Sequence, residues 1–182
     1  KSLLTAICDT TEQSRKFRPA LDQLTVTTGA NSGIFYALNA VAEPGAEVLF
    51  PNPYFPSYLA ATNLAGIHAR YYRLDDKKNF LPDLDHLKSL INKKTRAIII
   101  NSPANPSGTV WPPDIIKKVF EVAEESDLYL ISDEVYARMI FDPDCIFFSP
   151  STYDHCRERT IIVNGFSKAF AMTGWRIGAV IA

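Results

Sequence analysis

Cysteine, histidine, excess charge and long apolar runs are all scarce in this chain of 182 residues. The three cysteines, Cys8, Cys145 and Cys156, are odd in number and widely spaced. They fit neither a disulfide framework nor a zinc site, so a reducing cytoplasm is the expected setting. The three histidines, His68, His86 and His155, are scattered and read as surface or turn residues rather than metal ligands. Net charge is −1, which gives no electrostatic support to a nucleic-acid or membrane-surface role. No apolar run approaches the roughly 20 residues needed to span a bilayer, and the opening KSLLTAICDTTEQSRKF is no signal peptide. Repeats and low-complexity tracts are absent too. No G-x-G-x-x-G follows a strand, which argues against a dinucleotide-binding dehydrogenase.

What is present is a globular composition, 47% hydrophobic and 21% charged, long enough to bury roughly 70% of the unfolded surface in one domain. The chain opens inside a helical pattern and closes on the apolar run IGAVIA, so the expectation is a domain cut from a longer protein.

Strand and helix patterns alternate. Residues 25–28, 47–50, 69–74, 95–100, 128–132, 160–164 and 177–182 read as strands, several apolar on both faces. A turn at GANSG (29–33) leads into a helical pattern ending at Pro44-Gly45, and further helices are expected near 57–65, from Asp83 to Ile91 with Asp83 as N-cap, and from Pro113 to Glu125. Such alternation predicts an α/β three-layer sandwich, a mostly parallel sheet covered by helices on both sides. Ligands of such sheets bind beyond the carboxyl ends of the strands. Three polar clusters lie there: NSPANPSG (101–108), SDEVY (132–136) and NGFSK (164–168).

These clusters, in this order and followed by GWRIG (174–178), resemble the large domain of the fold-type I pyridoxal-phosphate enzymes, in the aspartate aminotransferase-like class I/II branch. The likeness runs from about residue 24 to the end, and all 182 residues are expected to belong to that cofactor-binding large domain, incomplete here. It implies pyridoxal 5'-phosphate as cofactor and no metal. Lys168 would form the Schiff base with the cofactor aldehyde, then shuttle the substrate Cα proton as general base. Asp133 would keep the pyridine nitrogen protonated so that the ring can accept electrons. Glu134 competes for that role, but neighbouring side chains near a strand end point to opposite faces. Asn105 and Tyr136 match residues that hydrogen-bond the cofactor's phenolic oxygen. Ala30 and Asn31, at a helix opening, match the phosphate site together with Arg176. Tyr54 matches the aromatic that stacks on the ring, while Phe55 and Tyr58 read as packing and Trp111 and Trp175 as structural. Many relatives place a phosphate-binding serine three residues before the lysine. Gly165 stands there instead, and Ser167 is no assumed replacement.

The resemblance implies an aminotransferase, moving an amino group from an L-amino acid to a 2-oxo acid by a ping-pong mechanism, and a homodimer. The arginine that grips the substrate carboxylate would lie in a second, smaller domain outside these residues. The same framework also hosts β-eliminating lyases, aminocyclopropane-carboxylate synthase-like enzymes and non-catalytic sensor domains of regulators. The 182-residue piece alone is expected to be inactive.

Overall fold

A computed structural model describes residues 2–182. Helix α1, Leu3–Arg15, starts where the Ser2 side chain accepts from the Thr5 amide. It precedes the short strand β1 (Leu24–Thr27), helix α2 (Gly29–Val41), β2 (Glu47–Asn52), α3 (Ser57–Ala65) and β3 (His68–Asp75). Then come a two-residue strand β4 (Leu81–Pro82), α4 (Leu84–Leu90), β5 (Thr95–Asn101), α5 (Pro113–Glu125) and β6 (Tyr129–Asp133). The chain closes with α6 (Ser151–Asp154), β7 (Thr160–Gly165), the one-turn helix α7 (Phe166–Ala169) and β8 (Gly178–Ile181). Asp83 caps α4 as expected, accepting from the His86 amide at 2.9 Å. GANSG, expected as a turn, is the first turn of α2 itself. Only Gly29 of it takes a positive φ (78°), so a single left-handed residue redirects the chain into the helix.

The eight strands form one sheet in the order β1-β8-β7-β6-β5-β2-β3-β4. Pairings from β7 through β6, β5 and β2 to β3 are parallel, while β8 lies antiparallel between β7 and β1 and β4 pairs antiparallel with β3. The expected three-layer, mostly parallel architecture is therefore present. Strand alternation divides the core. Val48, Phe50, Ile99, Ile131, Ile161 and Val163 pack under α2 and α3. Leu49, Ile98, Ile100 and Leu130 face α4 and α5, and Ile162, Ala179 and Ile181 face α1. Ile98, Ile99 and Ile100 are all fully buried, which is why this strand shows no polar face in the sequence.

Register gathers one edge of the sheet. Thr27 pairs with Gly178, which pairs with Gly165, so the ends of β1 and β7 meet the start of β8. In the next strands Asn101 pairs with Asp133, which pairs with Val163. Because β8 and β1 run against their neighbours in alternation, the chain leaves β1 and enters β8 on the same side where β5, β6 and β7 end.

Candidate functional site

At that edge lies a cavity of about 190 Å³ lined by Ala30, Asn31, Ile34, Phe55, Asn101, Asn105, Asp133, Val135, Tyr136, Ser167, Lys168, Thr173 and Arg176. Seven of the eight residues expected to act together line it: Ala30, Asn31, Asn105, Asp133, Tyr136, Lys168 and Arg176. Tyr54 is the exception and is not among the lining residues. Its ring stacks on Tyr71 of β3 at 5.3 Å, and the aromatic wall of the cavity is the adjacent Phe55. In the proline-rich stretch PNPYFPSY, which joins β2 to α3, no periodicity tells which of two consecutive aromatics turns inward.

One end of the cavity gathers groups that suit an anion. Helix α2 begins at Gly29 without a side-chain cap, leaving the amides of its first turn to point outward. The Arg176 guanidinium lies against Gly29 so closely that a Cβ there would collide with it. Arg176 donates to the Ser167 hydroxyl at 3.4 Å and to the Thr173 carbonyl at 3.1 Å, which fixes its direction. Gly178 makes the same approach possible from below, since a Cβ would sit 2.5 Å from the Gly29 carbonyl carbon. At Gly165 a side chain would meet the Ala30 Cβ at 3.2 Å, so α2 occupies the space beside that glycine.

Lys168 follows β7 in α7 and is exposed, although it lines the cavity. Among the described residues no hydrogen bond or ion pair holds its amine. Asp133 ends β6 and is only 6% exposed. Its carboxylate accepts from the Tyr58 hydroxyl at 2.6 Å and from the Val135 amide at 3.2 Å. Burial pushes this acid up to about 6, against the pull of those two hydrogen bonds, and the charge of Glu134 adds to the rise. Asn101 donates to the Asp133 carbonyl at 3.0 Å and accepts from the Asn105 amide at 2.7 Å, so one side chain joins the β6 end to the loop after β5. Tyr136 faces Asn105; burial and then Asp133 push its phenol up, with the Asn105 hydrogen bond opposing.

Glu134 points the other way, as strand alternation requires. It is 1% exposed and ion-pairs with Arg15 of α1 at 2.5 Å, on the far face of the sheet. Two residues with parts in the site were not legible as such. Asn101 was only the first letter of a polar cluster, and Tyr58 read as packing. The one signal for Tyr58 was a hydroxyl-bearing residue opening a helix beside a buried sheet, which is weak.

A small-molecule site of this kind can hold an anionic group at the α2 end and present an amine and a buried acid to whatever extends from it. The family model of aminotransferase class I and II matches residues 1–182. The aspartate aminotransferase of Pyrococcus abyssi is 44% identical over 160 residues, 88% of this chain and 41% of that protein. A probable aspartate aminotransferase of Methanocaldococcus jannaschii is 42% identical over 157 residues, 86% of this chain and 40% of that one. The crystal structure of an aromatic aminotransferase from Pyrococcus horikoshii superposes with a TM-score of 0.94 at 40% identity, covering 99% of this chain and 48% of that one. The chain thus spans less than half the length of these relatives, and it belongs to the class I and II aminotransferase family.

Proposed function

From membership of the class I and II aminotransferases we infer that this chain is the cofactor-holding part of a pyridoxal 5'-phosphate-dependent transaminase. It would move an amino group from an L-amino acid to a 2-oxo acid. The observation that carries the reading is one cavity that collects three unlike groups in strand order. A guanidinium over a bare helix start lies at β8, an amine after β7, and a buried acid at the end of β6. Neighbouring strands are about 4.8 Å apart, so β8 and β6 stand roughly 10 Å from each other, the scale of one small aromatic phosphate.

The chain's own residues fit that group. The outward amides at Ala30 and Asn31 and the Arg176 fork suit a phosphate, and the missing side chain at Gly29 makes room for the guanidinium beside them. Asp133, buried with a phenol and an amide but no cation among its hydrogen-bond partners, suits a protonated ring nitrogen. When bound, the cofactor supplies an aldehyde that captures amines and an electron-poor ring that takes up negative charge.

Ser167 accepts a hydrogen bond from Arg176 at 3.4 Å and would help to hold the guanidinium toward a phosphate. Asn105 and Tyr136 line the same cavity and would hydrogen-bond the phenolic oxygen, and Phe55 would provide the aromatic wall expected of Tyr54. Lys168, with its amine uncommitted, serves first as nucleophile. The same amine, free of the cofactor, would hold and return the proton of the substrate Cα. Asp133 would keep the ring nitrogen's proton in place. Assignment of residues 1–182 to the large domain, a homodimer and a cytoplasmic setting belong to the same proposal. No helix among the described residues is long and apolar enough to cross a membrane.

The test is chemical. Full-length protein loaded with pyridoxal 5'-phosphate and reduced with borohydride should carry the added mass on the Lys168 peptide. Label on a different lysine overturns the assignment. Mixing the loaded protein with one equivalent of amino acid, without an oxo acid, should yield one equivalent of the corresponding oxo acid. Release of ammonia and pyruvate instead would mark an eliminating lyase.

A further inference from the structure

Tyr58 does not itself line the cavity, yet it holds the acid that defines one end of it. Asp133 presents two oxygens. Oδ1 accepts from the Val135 amide two residues on, a bond that any substitution preserving the backbone retains. Oδ2 accepts from the Tyr58 hydroxyl, delivered from α3 across 75 residues of sequence. At 2.6 Å this contact lies in the range of charge-assisted O–H···O⁻ bonds. Both partners are buried, Tyr58 completely.

The phenol has nowhere else to go. Its ring meets Phe50 and Phe55 edge to face, each with centroids 5.8 Å apart, and the Thr62 hydroxyl donates to its carbonyl. Burial and the adjacent acid push its ionisation well above the ordinary range, so Tyr58 remains a donor at every relevant pH. The backbone of Asp133 is secured separately. Asn101 donates to its carbonyl, and the next residue, Glu134, is anchored by Arg15, Ser132 and Ser149. Removing the Tyr58 hydroxyl would therefore alter the carboxylate's partner without freeing the strand end.

We propose that Tyr58 is a positioning residue whose hydroxyl holds the Asp133 carboxylate ionised and aimed into the cavity, so that the acid meets a protonated ring nitrogen instead of capturing the proton itself. The proposal rests on the cofactor reading of the cavity, and the experiment keeps the two apart. Full-length Tyr58→Phe and wild type are titrated with pyridoxal 5'-phosphate and with its 1-deaza analogue, in which carbon replaces the ring nitrogen. A hydrogen bond to a charged group predicts that Tyr58→Phe weakens the natural cofactor about tenfold or more. Affinity for the analogue, which makes no demand on Asp133, stays at the wild-type value. Equal losses for both ligands would assign Tyr58 to packing alone and overturn the proposal, as would no loss for either. Wild type that binds neither ligand removes the cofactor reading and this proposal with it. A second measurement leaves Tyr58 intact: its hydroxyl proton should give a downfield, slowly exchanging magnetic-resonance signal that Asp133→Asn moves upfield. A signal indifferent to Asp133→Asn also overturns the proposal.

Discussion

On the α1 side of the sheet, the Glu134 carboxylate receives Arg15 together with the hydroxyls of Ser132 and Ser149. On the α2–α3 side, one residue earlier in the chain, Asp133 receives a phenol and an amide and no cation. Both acids are buried, at 1% and 6% exposure. The first is neutralised within the chain and ties a helix to the sheet. The second is left with an unmatched charge, which is why burial lifts it to about 6. A buried charge without a counter-ion is a standing cost, which a bound cationic group would offset. On the proposed reading, the difference separates an acid that serves stability from one reserved for a ligand.

The largest effect should come from breaking the closed side. Arg15→Met leaves Glu134 buried and unpaired, and should lower the unfolding free energy of the full-length protein by about 3–5 kcal/mol in urea titration. The same substitution should leave the position of bound cofactor unaltered. On the open side Asp133→Asn should act in the opposite sense. Turnover should fall by about 100- to 1000-fold in a coupled transamination assay, while the apoprotein does not lose stability at pH 7. An apoprotein destabilised by Asp133→Asn as strongly as by Arg15→Met would erase the contrast.

The pH dependence sharpens it. Asp133 titrates at about 6 when folded and near 3.8 in its ordinary state, so between those values the folded chain binds more protons than the unfolded one. Stability that Asp133 leaves intact below about pH 4 should therefore be lost progressively as pH rises to 6, by roughly 2–3 kcal/mol. Comparing urea midpoints of apo wild type and Asp133→Asn at pH 4.5 and 7 isolates this contribution. Smallest is the aromatic wall. Phe55→Leu should weaken cofactor binding about two- to tenfold by fluorescence titration, the worth of one ring contact, and Tyr54→Leu should do less.

Much of the site was readable because strand ends are readable. Lys168, Asp133 and Asn105 each follow an apolar run, and parallel topology sends such positions to one edge. The separation of Asp133 from Glu134 also followed from two-residue alternation. Alternation, however, says only that the two diverge, not which of them finds Arg15, which is 119 residues from Glu134. Tyr54 lies outside the cavity lining for a related reason: the loop 53–56 lacks a repeating pattern, so a shift of one residue carries no sequence signal. Tyr58 and Asn101 gained their parts through partners supplied by other strands and helices.

By itself the sequence determined the alternation of strands and helices, the edge where polar clusters gather, and the kinds of group available there, because these depend on local periodicity and on residue chemistry. Tertiary structure alone decided which acid was matched by a cation, which aromatic turned inward, and which phenol met Asp133. Those outcomes depend on strand order and register, which place residues dozens of positions apart within hydrogen-bonding distance.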